Sequence, residues 1–321
     1  MCGPGLILRF ARKKIPMKTL IIHHDDCLIH DPGPRHAERA DRVRAVLSAV
    51  EGIPETELLP APLATLEQVH LAHDPAYWQK LVSLEPELDR VTLDADTFLS
   101  PGSIKAALRA SGAACFAVDQ LFAGKARNAF CATRPPGHHA EAGVAMGFCL
   151  LNHVAIAANH ALATQEIERV AILDFDVHHG NGTQAIFEQN PEVLYISSHQ
   201  SPLYPGTGRE DETGCGNILN LPLPPQSGSA EFRQAWSTRG LPALRDFRPD
   251  LVLLSAGFDA HEADPLAQIN LQDEDYFWIT REICLLAKEL CRGRVISVLE
   301  GGYDLGGLAS SATAHLRALT S

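Results

Sequence analysis

Residues 171–182 read Ala171-Ile172-Leu173-Asp174-Phe175-Asp176-Val177-His178-His179-Gly180-Asn181-Gly182. The run begins apolar and ends in carboxylates, imidazoles and glycines. A short apolar run reads as a buried strand, with Gly180 and Gly182 closing it. Side chains alternate along a strand, so Asp174, Asp176 and His178 fall on one side and Val177 and His179 on the other. Asp176 and His178 at that spacing offer one metal ion a carboxylate and an imidazole. A strand apolar on both faces belongs to a covered parallel sheet, and such sheets carry their sites at the carboxyl ends of the strands. Alone, Asp-x-His is more often a polar surface turn than a site. The remaining segments decide between the two.

Working outward, strands are expected at 18–22, 128–132, 193–198, 251–255 and 295–299, besides the central one. Helices are expected at 36–50, 103–122, 148–162, 230–247, 273–290 and 305–319. Two short helices are expected within 64–84, broken near His73-Asp74-Pro75, and another at 183–188. Residues 94–102 and 199–228 read as loops, the second long enough to suggest function. Strands alternating with helices indicate one α/β domain built on a mostly parallel sheet with helices on both faces.

The 321 residues, 45% of them hydrophobic, supply a sizeable single core. The net charge is -12 and no lysine- or arginine-rich block occurs, which argues against nucleic acid as a partner. No apolar run is long enough to span a bilayer, so no membrane role is expected. Eight scattered cysteines without a Cys-x-x-Cys pair read as reduced thiols of a cytoplasmic protein. Residues 1–16 read as a flexible extension before a domain at 17–321, with Met17 a candidate start.

Four further segments end strands and carry polar chemistry. Arg134-Pro-Pro-Gly-His138-His139 sets two imidazoles side by side, where different neighbours can split their pKa values between base and electrostatic support. The stretch from Asp259 to Asp264 offers a further carboxylate to a metal. Glu300-Gly-Gly-Tyr303 brings a tyrosine hydroxyl on a glycine turn. Gly147-Phe148-Cys149 places an aromatic just after the histidine pair. Each has a bland reading: a turn cap for the histidines, a turn opener for Asp264, core packing for Tyr303, Phe148 and Cys149. Their coincidence at strand ends favours a shared site.

With these segments, His36-Ala-Glu-Arg39, Gly147-Phe-Cys-Leu-Leu-Asn152, Tyr204-Pro-Gly-Thr-Gly208, Ser255-Ala-Gly-Phe-Asp-Ala260 and Asp264-Pro-Leu266, the chain resembles the zinc-dependent histone deacetylases. The likeness is greatest to class II and to the bacterial deacetylase-like and acetylpolyamine amidohydrolases. It implies an arginase/deacetylase-like fold and hydrolysis of an acyl group from the side-chain amine of acyl-lysine. It implies one Zn2+ on Asp176, His178 and Asp264, His139 as general base and then acid, His138 as electrostatic support, and Tyr303 as donor to the carbonyl oxygen. Asp174 and Asn181 would accept from His138 and His139. Structural K+ is implied at Asp174, Asp176, His178 and Ser197, with a second ion at Phe187, Asn190 and Val193, mostly through backbone carbonyls. Gly147, Phe148, Tyr204 and Leu271 match the substrate tunnel.

The resemblance leaves rivals. An acetylpolyamine amidohydrolase would pair a glutamate gatekeeper with a distal ammonium, and Leu271, at the matching position, cannot. Asp94 and Asp96 on a rim loop could hold a peptide backbone or a cation. The manganese arginases share the fold but need a denser aspartate pattern. A non-catalytic acyl-lysine binder would have lost a ligand or the tyrosine, and all are present. Ala37 and Ala40 replace prolines common in the family. A homo-oligomer is compatible with the chain.

Overall fold

The computed structural model describes residues 17–321; the expected extension at 1–16 lies outside the described residues. In chain order the elements are β1 (Thr19–His23), α1 (Ala40–Val50), β2 (Thr56–Pro60), α2 (Leu66–Val69) and α3 (Pro75–Ser83). A two-residue hairpin, β3 (Val91–Thr92) and β4 (Phe98–Leu99), precedes α4 (Ser103–Phe122) and β5 (Asn128–Cys131). Next come α5 (His153–Thr164), β6 (Val170–Asp174), α6 (Asn181–Phe187), β7 (Val193–Gln200) and β8 (Ile218–Leu223). The chain ends with α7 (Ser229–Ala235), α8 (Leu241–Phe247), β9 (Leu251–Ala256), α9 (Asp273–Cys291), β10 (Val295–Leu299) and α10 (Leu305–Thr320).

Eight strands form one sheet in the order β2-β1-β5-β10-β9-β6-β7-β8, and every neighbouring pair is parallel. Period-two alternation splits each strand between two apolar layers. Val170 and Ile172 of β6 join Ala129, Leu253, Ile296 and the alanine-rich α4 and α5. Ala171 and Leu173 join Phe130, Leu254, Leu299 and helices α1, α9 and α10 on the other face. Burying each such aliphatic side chain is worth roughly 1.5–3 kcal/mol, and both faces being covered is why β6 reads as unbroken apolar sequence.

The sequence expectation differs from the structure mainly at the sheet's two ends. β2 and β8 are the edge strands, and neither stands out as an apolar run. β2 has no fully buried residue, and β8 lies inside the glycine- and proline-rich stretch read as loop. Two helices start later than expected, α1 at Ala40 and α5 at His153, where the Asn152 side chain caps the first turn by accepting from the Ala155 amide at 3.0 Å. Of the segments trimmed from those helices, Phe148 lines a cavity and His36 packs against it from behind.

Candidate active site

The polar segments follow five adjacent strands, β5, β10, β9, β6 and β7. Their carboxyl ends face the same way, so loops far apart in sequence converge.

His138 is buried, and its Nδ1 meets Asp174 Oδ2 at 3.0 Å. The same oxygen accepts from the Tyr195 hydroxyl at 2.9 Å, and Asp174 Oδ1 accepts the Asp176 amide at 3.1 Å. Burial works against charge on His138, but the carboxylates of Asp176 and Asp174 outweigh it and hold the imidazole up at about 10. His139 stacks beside it with ring centroids 4.0 Å apart. Its Nδ1 lies 2.8 Å from Asn181 Oδ1, while Asn181 Nδ2 donates to Glu141 Oε1 at 2.9 Å. Glu141 thus fixes which way the amide points, and an oxygen facing Nδ1 requires the hydrogen there. His139 Nε2 keeps its lone pair. Burial, then the positive His138 and His178, hold this second imidazole well below 6.5. Adjacent residues of the same type are therefore driven toward opposite protonation.

Glu300, which precedes the glycines of the Tyr303 turn, has a role that its sequence position does not reveal. Its Oε2 accepts the Gly137 amide at 2.6 Å and the His138 amide at 3.2 Å, pinning the histidine turn. Arg42 is also enclosed; it donates to Gly302 O at 2.6 Å and lies over the Tyr303 ring at 4.8 Å. Local sequence shows only its pairing with Glu38, at 3.2 Å one turn away; the bond that carries Arg42 to the site reaches Gly302, 260 positions on. Burial keeps the Tyr303 hydroxyl well above 10, so it stays a proton-bearing donor.

One ligand atom each from Asp176, His178 and Asp259 lies within 4.8 Å of the other two. His178 Nδ1 is 3.1 Å from both Asp176 Oδ1 and Asp259 Oδ2. Gly301 donates its amide to Asp176 Oδ2 at 2.8 Å, and a Cβ there would stand 2.1 Å from Asp259 Oδ2. Only glycine permits this approach. Asp264, the expected third ligand, stands outside this group. Its Oδ2 accepts the Tyr303 amide at 2.7 Å, and its Oδ1 accepts the Leu266 amide at 3.0 Å.

The cluster holds more carboxylates than its imidazoles can balance. Burial, then the neighbouring Asp176, push Asp259 up, and burial pushes Glu300 up to about 7. Asp176 stays well below the usual carboxylate range, burial notwithstanding, because His138 and His178 flank it. A donor set of carboxylates with one imidazole, short of positive charge, fits a divalent cation.

Above this cluster is a cavity of about 240 Å³ lined by Asp96, His139, Gly147, Phe148, His178, Leu203, Tyr204, Leu266 and Tyr303. Phe148 and Tyr303 meet edge to face at 5.7 Å, and Tyr204 meets His139 likewise at 5.2 Å. Gly147 lies flat on His139, where a Cβ would come within 2.4 Å of the ring. His179 turns away to Thr207 and Gln184, as alternation requires. Cys149 is enclosed, its thiol raised well above 9 by burial.

Leu271 needs correcting. It is fully buried in the apolar layer with Phe258 and Tyr276 and does not line the cavity. Its amide donates to Ala260 O and its carbonyl accepts from Glu262 N, both at 3.0 Å, which draws it into the core. Leu266 and Leu203 are the leucines that front the cavity.

Of the expected potassium positions, Asp174 and Ser197 are register partners across β6 and β7. The carbonyls of Phe187, Asn190 and Val193 are gathered too, but around the side-chain nitrogen of Asn217.

Parallel α/β architecture with paired histidines over a buried carboxylate–imidazole cluster is an arrangement suited to hydrolysis, with a candidate metal site. Residues 34–319 match the family model described as histone deacetylase domain. An uncharacterized protein of Synechocystis is 43% identical over 93% of this chain and 98% of its own length. The histone deacetylase-like amidohydrolase of Pseudomonas aeruginosa is 36% identical over 89% of this chain and 82% of its own. The type-2 histone deacetylase 2 of Dictyostelium discoideum is 39% identical over 95% of this chain, which spans only 21% of that relative. A crystal structure of the HDA15 HD domain aligns with a TM-score of 0.89 and 34% identity, over 94% of this chain and 88% of that one. The chain belongs to the histone deacetylase family and has its arginase/deacetylase-like fold.

Proposed function

We propose that this chain is a zinc-dependent amidohydrolase that removes an acetyl group, or another short acyl group, from the side-chain amine of acyl-lysine. The observation that carries the reading is the split histidine pair. A neutral, oriented His139 lines an aromatic-walled cavity, and a charged His138 lies beside it against a carboxylate–imidazole cluster. Zinc in that cluster would supply the Lewis acidity that makes water nucleophilic and polarises the acyl carbonyl. His139 Nε2 takes the proton of the attacking water and returns it to the leaving amine. His138, kept positive by Asp174 and Asp176, stabilises negative charge as it develops. Tyr303 donates to the carbonyl oxygen. Phe148 and Tyr204 hold the methylenes of the lysine stem and exclude water.

Asp176, His178 and Asp264 are the proposed zinc ligands, with Asp259 holding the His178 ring. A second reading exchanges the two aspartates, because Asp259 is the one that converges with Asp176 and His178. Metal content separates them: we expect Asp264→Asn to lose zinc and Asp259→Asn to bind it about 10- to 100-fold more weakly. The reverse pattern would establish the second reading. One structural K+ on the carbonyls of Asp174, Asp176, His178 and Ser197 is part of the proposal.

The acyl-lysine preference rests on Leu203 and Leu266, which offer no partner to a distal ammonium. An acetylated polyamine is the alternative, and Asp96 in the cavity lining is the observation that favours it. Turnover on acetyl-lysine peptides and on acetylated polyamines tests this. A preference of ~10-fold or more for polyamines, about 1.4 kcal/mol, would overturn the assignment. Among the described residues no helix is long and apolar enough to cross a membrane. The seven described cysteines are free, six of them buried, which supports a cytoplasmic location.

A further inference from the structure

Helix α6 ends at Phe187, and the chain turns through Asn190 to enter β7 at Val193. The carbonyl oxygens of Phe187, Asn190 and Val193 lie 2.8, 2.9 and 2.8 Å from Nδ2 of Asn217, at the start of β8. Several carbonyls focused on one point are how proteins replace the hydration shell of K+. Here the point holds nitrogen, and an ion cannot share it.

We propose that Asn217 stands in for a cation: its side-chain amide closes the carbonyl cage and keeps a monovalent ion out. The second K+ that the family resemblance implies does not fit this donor set. An amide carries two hydrogens, so two carbonyls accept directly and the third shares one of them. Phe187 O and Asn190 O also receive main-chain amides, from Asn190 at 2.8 Å and Val193 at 3.2 Å, so neither relies on Asn217 alone. The cage presents only neutral dipoles, which a neutral donor satisfies.

Nor is the side chain free to leave. Asn217 is 5% exposed, and its Oδ1 accepts from the Cys215 thiol at 3.3 Å. A Cβ on Gly214 would come within 2.7 Å of the same oxygen. The Asn217 carbonyl is held by the Tyr195 amide at 2.9 Å. Swinging the amide out would break its bond from the Cys215 thiol and its three bonds to the carbonyls together, while the main chain at Asn217 stays anchored to Tyr195. The tie also bears on the reaction site: α6 begins with Asn181, the partner of His139, and ends with Phe187, which Asn217 pins. Asn217 is thus a positioning residue that does without an ion.

Thallium(I) anomalous scattering tests this directly. Crystals of the full chain, grown without K+ and soaked in a thallium(I) salt, should show no anomalous peak bound by these three carbonyls. A peak there, with Asn217 turned away, would overturn the proposal. In solution, melting temperature is compared in KCl and in tetramethylammonium chloride of equal ionic strength. Asn217→Ala should gain more from K+ than the unaltered protein does. Any shared K+ response elsewhere cancels in that comparison. An equal gain would mean the amide had not been excluding the ion. If the variant does not fold, the thallium experiment on the unaltered chain still decides.

Discussion

Two centres in this fold gather oxygens from distant segments, and they make opposite demands. Beneath the cavity, Asp174, Asp176, Asp259 and Glu300 bring carboxylates into enclosed space, and His138 and His178 answer only part of their charge. At the end of α6, three carbonyls meet and one neutral amide answers them. Buried formal charge must be matched by opposite charge or lost by protonation, whereas buried dipoles need only hydrogen bonds. Uncompensated charge is therefore a better sign of a metal than convergence of oxygens.

The difference can be broken most forcefully at Asp176. Asp176→Ala should abolish bound zinc by metal analysis and lower turnover at least ~10⁴-fold, since activating water is what the metal contributes. A variant that keeps its metal and rate would remove the charged centre from the argument. Next in size is Tyr303→Phe, expected to lose at least ~100-fold in kcat with KM little changed, as a donor used mainly in the transition state would.

Asn181→Asp sharpens the contrast by adding charge. At present His139 sits well below 6.5, chiefly through burial and then its positive neighbours. Activity should hold as pH falls through 6.5 and be lost only near that depressed value. A carboxylate at Nδ1 favours the protonated ring, so the acid limb of kcat/KM should move to higher pH, by about one unit. An unmoved limb would deny His139 the role of base. The smallest effect is expected from Asn217→Asp, which places formal charge in the neutral cage. Its melting temperature should gain a few degrees more from K+ than that of the unaltered protein, of the order that one occupied site produces.

How far these centres could be read from sequence follows from the same physics. Asp174, Asp176, His178, the histidine pair and Tyr303 break apolar strands with groups too polar to bury without purpose, so they stand out. Asn217 does not, because its partners are main-chain carbonyls that any residue supplies. Leu271 lies off the cavity because its backbone pairs with Ala260 and Glu262, which position in the sequence cannot reveal. Asp259 and Asp264 are indistinguishable as residues, and only the fold separates the one facing His178 from the one accepting the Tyr303 amide. Of the edge strands, β2 is illegible because a strand with one neighbour need not be apolar on both faces, whereas β8 is apolar but hidden among the glycines and prolines around it.

The His36 ring joins the cavity wall to its rim. It packs edge-on against Phe148 at 4.6 Å, and its Nε2 lies 3.0 Å from the Asp96 carbonyl. The Phe148 amide in turn donates to Thr97 Oγ1 at 3.0 Å. Wall and rim are thus coupled at two points, so any group that displaces Phe148 must also shift the loop bearing Asp96. On the proposed reading, a lysine stem bearing bulky substituents would be refused by the stiffness of that frame more than by the volume of the slot.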